Sequence, residues 1–386
     1  MTARPRLLIL SFSPIVGDAR VLKQVVHFQK DYDVTTCGYG DAPAGVVRHI
    51  RIPDDQPQNN LYPRFLALRL FERVYWRTSA VSWCKANLEP GTWDVILAND
   101  VETVPLALTL TPKHGVHADL HEYSPRLRTE NPGWMRWIAP YYRWMCRKHV
   151  SRASSWSTVG GGLARQYLKE YGFEPLVVTN AAPYWDLPEV PVSTPLRLVH
   201  SGAGLQNREL EIMVEAVAIA KSKPTFDLFL TANHPAYIVR LRERAAEIGR
   251  VTVHDPVPYS ELIQTLNNYD VGVFVLPPVN FSYEWALPNK IFDFIQARLA
   301  IVVGPSPEMA AIVREHELGL VARDFSVQAL ADAIDELTAE SVAAYKKAST
   351  TTAAVLNSES QVAVWDRAIA DLVRQRASAP SASSRG

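Results

Sequence analysis

Short apolar runs of strand length alternate with longer helical patterns along the whole of this 386-residue chain. That alternation selects a parallel α/β sheet, because parallel neighbours need a crossover helix and that helix covers a sheet face. In the first half the strand-like runs are "RLLILSF", "YDVTTCG", "WDVILAN", "GVHADLH", "SSWSTVG" and "EPLVVTN". A helix over Asp18 to Gln29, with Val21, Val25 and Phe28 on one face, joins the first two, and another begins near Gly161. In the second half the runs are "LRLVHSG", "FDLFLTA", "VTVHD", "VGVFVLP", "LAIVVGP" and "GLVA", followed by helices over 327–337, 341–355 and 361–375.

A chain of this length exceeds one typical core, so two domains are expected. The stretch "AAPYWDLPEVPVSTP" carries four prolines and no helical period, and reads as a stiff linker. The expected division is an N-terminal Rossmann-like domain over 1–182, a linker over 183–195 and a C-terminal Rossmann-like domain over 196–355. A helix over 356–377 is placed to pack back on the first domain, and 378–386 reads as a loose, small-residue tail. Two doubly wound domains of this kind face each other across a cleft, with ligands held at the carboxyl ends of their strands.

Bulk charge narrows the partners. Lys and Arg number 40 and Asp and Glu number 40, so whole-protein attraction to nucleic acid is not expected. Cys37, Cys84 and Cys146 are odd in number and far apart in sequence without C-x-x-C spacing, which argues against a disulfide framework or structural zinc and fits a reducing cytoplasm. No run of 18 apolar residues occurs, so any membrane is touched from outside.

The candidate chemistry lies on strand-to-helix turns. "SFSPIVGDARVLKQ" has a single glycine and lacks the dinucleotide fingerprint G-x-G-x-x-G. Asp18 suits a helix N-cap followed by an exposed Arg20; alternatively, Gly17 and Asp18 line a cleft floor where an acceptor docks. "HADLHEYSP" sets His121 and Glu122 just past a strand, as a structural histidine or as a site pair in equal measure. His114, His117 and His121 lack the helical setting of a metal motif, so no metal is expected. "HSGAGLQNREL" offers Gly202, Gly204 and Arg208, either a plain tight turn or a phosphate loop in which backbone N–H groups and a guanidinium meet an anion. In "FSYEWALPNKIFDF", Pro288 suits the first helical position, and Asn289 and Lys290 fall in the first turn, where unpaired N–H groups welcome an anion. Lys290 and Asp293 share one helix face, a surface pair or a phosphate cation beside a carboxylate for sugar hydroxyls.

In order and spacing, "GDARVLKQ", "AND", "DLHE", "TNAAP", "GAGLQNRELE", "ALPNKIFDF" and "GPSPEMAAIV" resemble family 4 of the retaining GT-B glycosyltransferases, across nearly the whole chain. The resemblance implies a C-terminal domain that binds a nucleoside diphosphate sugar, with UDP preferred over GDP or dTDP, and an N-terminal domain that binds the acceptor. It implies that Arg208 and Lys290 hold the diphosphate, that His121 approaches the transferred sugar, and that Asp293 stands where the second glutamate of the E-x7-E motif binds ribose. The position eight residues before Asp293 is Trp285, not an acid, so the first glutamate is replaced or its task passes to Glu284. The frequent glycine-arginine of the phosphate loop is Gly202-Ala203 here. A nucleotide-sugar 2-epimerase and a catalytically silent binding subunit share the architecture and stand as rivals.

Two segments of the first half, Tyr62 to Lys85 and Trp134 to Arg152, are both aromatic and basic. They suit core helices with solvated basic faces, or peripheral attachment at the inner face of a membrane and a lipid-linked, glycan or small-molecule acceptor.

Overall fold

The computed structural model describes residues 4–377, so the expected tail over 378–386 lies outside the described residues. Among the described residues thirteen strands form two all-parallel sheets, one in each of two compact units. The first unit holds the described residues up to Thr179 together with those from Val362 onward; the second is Asn180–Gln361.

In the first unit the strands are β1 (Arg6–Pro14), β2 (Asp33–Tyr39), β3 (Arg48–Arg51), β4 (Val95–Asn99), β5 (Val116–Leu120), β6 (Ser155–Thr158) and β7 (Leu176–Val177), in the order β3-β2-β1-β4-β5-β6-β7. Central strands are covered on both faces: every residue of β4 and β5 is buried, the polar Asn99, His117 and Asp119 among them. Helix Ala19–Phe28 buries Val21, Val25 and Phe28 as its periodicity predicts. β3 escapes sequence reading because "RHIR" is an edge strand with one buried residue of four, and charged edges resist further pairing. β7 keeps only two residues, both exposed. The last helix, Ser358–Ala377, contributes Val362, Trp365, Ile369 and Leu372 to the same core as β1 and helix Ala19–Phe28.

The second unit holds β8 (Arg197–Ala203), β9 (Thr225–Thr231), β10 (Val251–His254), β11 (Val271–Phe274), β12 (Ala300–Val303) and β13 (Gly319–Val321), ordered β10-β9-β8-β11-β12-β13. The proline-rich stretch has no regular structure, yet it is tied to this unit. Ser193 N–H donates to Asp270 at 3.1 Å, Asn267 Nδ2 donates to the Pro188 carbonyl at 3.1 Å, and Trp185 N–H donates to Gln296 Oε1 at 3.0 Å. In both sheets the strand order reverses once, between β1 and β4 and between β8 and β11, and a doubly wound sheet opens its ligand crevice beyond the carboxyl ends of such a pair.

The cysteines are free and buried, and the fold brings two of them together: Cys37 Sγ and Cys84 Sγ lie 3.7 Å apart, one on β2 and one on helix Ser79–Asn87. Separation in sequence concealed this. Among the described residues no helix is long and apolar enough to cross a membrane.

Candidate active site

Each unit carries a polar cluster at its switch point. In the second unit the cluster is built from the end of β8 and from helix Asn289–Gln296. Pro288 is the N-cap of that helix rather than its first residue, and Asn289 and Lys290 open the first turn as expected. Asn289 is exposed, while Lys290 Nζ lies 5.7 Å from the ring centroid of Phe274, the last residue of β11. No hydrogen bond or ion pair joins this ammonium to any described residue. Burial, and then Arg208 nearby, lower its pKa to about 8 against the opposing pull of Asp293. Arg208 Nε is likewise buried without a hydrogen-bond partner. The unpaired charges therefore converge where the helix contributes its own partial positive end.

Glycine at 202 has a steric reason. A Cβ there would stand 2.3 Å from Lys290 Cε and 2.9 Å from Nζ, so a side chain would expel the lysine. Gly204 answers to packing instead: it is buried, and a Cβ would strike Ile238 at 2.3 Å and the Thr231 carbonyl at 2.7 Å. Asp293 is 3 % exposed, and burial raises its carboxyl to about 7 despite Lys290 and a 3.4 Å hydrogen bond from Tyr259 Oη. Lys290 and Asp293 thus share a helix face without forming a salt bridge. Glu284 ends the short helix Phe281–Glu284 and is exposed. His200 was not singled out from sequence. It stacks on Phe274 with centroids 5.5 Å apart and the planes within 6°, donates its Nδ1–H to the Val273 carbonyl (3.0 Å), and is held neutral, near pKa 3, by burial and by Lys290.

In the first unit, Asn99 ends β4, Asp100 follows it, and His121 and Glu122 follow β5; all four line a cavity of 340 Å³ with Glu102 and Ser13. His121 Nδ1 faces Asp100 Oδ2 at 3.4 Å, and Nε2 faces Asp119 Oδ2 at 3.3 Å and Asn99 Oδ1 at 3.2 Å. Burial pushes this imidazole down, but the Asp100 and Asp119 carboxylates outweigh it and hold its pKa above the ordinary value. Asp100 has φ +66, a left-handed conformation that aspartate tolerates better than most residues. Glu102, hydrogen-bonded by Tyr142 Oη at 2.6 Å, is raised to about 7 by burial and by Asp100.

Gly17 and Asp18 do not line this cavity. Asp18 is occupied as an N-cap, its Oδ1 accepting from the Arg20 and Val21 amides and its Oδ2 from Ser13 Oγ at 2.8 Å. Arg20, expected to be exposed, is buried: its guanidinium donates twice to Asp119 at 2.7 Å, donates to the Val178 carbonyl and lies 4.6 Å from the Trp365 ring. A single exposed-looking Arg in a capping motif gives no sign of a carboxylate 99 positions away. Among the described residues no group of three or more His, Cys, Asp or Glu could hold a metal.

Residues 195–340 match the family model of the glycosyl transferases group 1. A search of curated proteins found no match. Similar solved structures include a glycosyltransferase from Rickettsia africae (TM-score 0.69, 12 % identity, covering 96 % of this chain and 99 % of that one). They also include HepE from Anabaena in complex with UDP-glucose (TM-score 0.67, 12 % identity, 95 % and 100 % covered). A third is an alpha,alpha-trehalose-phosphate synthase (UDP-forming) from Burkholderia vietnamiensis (TM-score 0.64, 12 % identity, 95 % and 99 % covered). The chain therefore has the GT-B fold along nearly its whole length and carries within it, at residues 195–340, a glycosyl transferases group 1 domain.

Proposed function

We propose that this protein is a retaining glycosyltransferase that moves a sugar from a nucleoside diphosphate sugar to an acceptor hydroxyl, in the assembly of a cell-envelope glycan, polysaccharide or glycoconjugate. The observation that carries the reading is the Lys290 ammonium, unpaired beside Gly202 and Arg208 at a helix N-terminus. As the bond between the anomeric carbon and the diphosphate breaks, negative charge grows on the leaving group, and two preorganised cations with a helix dipole stabilise it. With that charge met by the protein, no divalent ion is needed to stabilise the leaving group. The acceptor oxygen forms the new bond on the face the diphosphate leaves and passes its proton to a phosphate oxygen.

We assign Lys290, Arg208, Gly202 and Asn289 to the diphosphate, Asp293 to the ribose hydroxyls and Glu284 to the donor sugar. His121 is assigned to the reacting sugar and Glu122 to the acceptor. Gly17 and Asp18 act on the acceptor side only by shaping the turn, and Gly204 only by packing. UDP is the favoured nucleotide because similar structures hold UDP-glucose, UDP with glucose, and UDP-2-fluoro glucose. The acceptor is a glycan, a lipid-linked sugar or a small molecule, and peripheral work at the inner face of a membrane belongs to the same reading.

Thermal-shift titration with UDP, GDP and dTDP tests it. Ligand at about 100 times its Kd stabilises the native state by about 2.7 kcal/mol, so a clear rise in Tm with UDP is expected. No rise with any of the three would overturn the reading. Turnover of the sugar nucleotide without acceptor would favour a 2-epimerase, and binding without turnover a silent binding subunit.

A further inference from the structure

We propose that a basic groove on the first unit docks the protein on an anionic bilayer. The groove encloses 630 Å³ between the chain at 69–71 and helices Pro132–Trp137 and Ala139–Lys148. Five cations line it, Arg69, Arg136, Arg143, Arg147 and Lys148, and no carboxylate does. Lys148 is paired with Glu72, whereas the four arginines have no carboxylate within salt-bridge reach among the described residues. Phe71 builds one wall, its ring 5.9 Å from Tyr141 and 6.0 Å from Trp144, so the groove is held by packed aromatic rings.

The apolar residues beside the groove favour a bilayer over a soluble anion. Leu68 is 69 % exposed and Leu70 37 %, flanking Arg69; Trp137 is 44 % exposed, with the Arg136 guanidinium 5.0 Å from its ring. Large side chains left in water beside unpaired cations suit a surface where leucine and tryptophan settle below headgroups while arginines meet phosphates. Nucleic acid would use the charge but give the leucines no partner. This inference rests on the membrane part of the proposed function and is independent of sugar transfer.

The test is co-sedimentation of the full chain with phosphatidylcholine vesicles, with and without phosphatidylglycerol, at low and high salt. Binding is expected only with the anionic lipid, weakening as salt rises. Each arginine near such a surface is worth about 1 kcal/mol, so Arg143→Gln with Arg147→Gln should partition roughly thirty-fold more weakly while circular dichroism and UDP-induced thermal shift stay unchanged. Leu68→Ser with Trp137→Ser should weaken binding without changing its salt dependence. Equal recovery with neutral and anionic vesicles, or undiminished binding of the arginine variant, would overturn the proposal. So would stabilisation by inorganic phosphate, binding of an oligonucleotide, or dimers broken by the same substitutions, in the absence of vesicle binding.

Discussion

Gly202 and Lys290 are packed so closely that a methyl group on the glycine would lie 2.3 Å from Lys290 Cε. The atoms in the way belong to the mobile end of a lysine, but Gly202 also holds φ +159, a backbone conformation that residues with a Cβ rarely adopt, so Gly202→Ala should lower stability as well as move the ammonium. UDP affinity is expected to fall about tenfold, the scale of one charge-assisted hydrogen bond, alongside a fall in Tm of the free protein. Calorimetric titration below the melting transition reads the affinity of the folded variant; unchanged affinity would remove the clearance at Gly202 from donor binding.

Asp293→Asn should separate binding from stability. The native carboxyl is raised to about 7 because burial opposes its charge, so a neutral amide removes a desolvation cost and Tm at pH 8 should hold or rise. Affinity for UDP should fall by about tenfold to a hundredfold, since a hydrogen bond to a carboxylate is worth about 1.5–3 kcal/mol. Unchanged affinity would remove Asp293 from the ribose site.

Donor binding should depend on pH through two groups of opposite sign. Lys290, near 8, must be protonated to hold a diphosphate, so affinity falls as pH rises past 8. Asp293, near 7, must be ionised to accept from ribose, so affinity falls as pH drops below 7. The Kd of UDP, measured from pH 5.5 to 9.5 as a span of about four units around these values, should be lowest between 7 and 8. In Lys290→Ala the alkaline limb should vanish and the acid limb remain.

The same raised carboxyl works against stability as pH rises. A folded state that holds a proton more tightly than the unfolded chain loses that advantage as pH climbs from about 4 towards 7, and Asp293→Asn should flatten this part of the stability profile. Asp119 has the reverse sign. Arg20 and His121 outweigh burial and hold its carboxyl well below the ordinary range, so its contribution is present above about pH 4 and is lost on acidification below it.

Removing one partner of the Arg20–Asp119 pair should be costly, because both side chains are buried, at 6 % and 0 % exposure. Arg20→Met leaves an uncompensated carboxylate and is expected to cost about 3–5 kcal/mol in urea unfolding. Trp365→Ala, which uncovers the same pair and Ser157, should cost about 3–5 kcal/mol through its cavity. If Arg20→Met unfolds like the parent, the pair is not what holds β5 to helix Ala19–Phe28.

Strand and helix order were legible because burial on both faces makes parallel strands continuous apolar runs, and because Val21, Val25 and Phe28 repeat at the helical period. Helix starts were legible at Asp18 and Lys290 because caps and first turns depend on neighbours in sequence, with Pro288 one position outside its expected place. Edge strand β3 was not, since one buried isoleucine leaves no pattern.

Contacts between distant residues were decided by tertiary structure alone. Sequence could not show that Arg20 turns inward to Asp119 under Trp365, that Cys37 meets Cys84, or that His200 and Phe274 form the floor beneath Lys290. Nor could it tell the glycine that makes room for a lysine from the glycine that fits under Ile238. Periodicity and capping depend on neighbours a few positions apart, whereas ion pairing, desolvation and steric clearance depend on which atoms the sheet brings together. The amino-acid order therefore determined the fold class and the placement of Lys290 at a helix start, and packing determined the charge state and surroundings of the side chains around it.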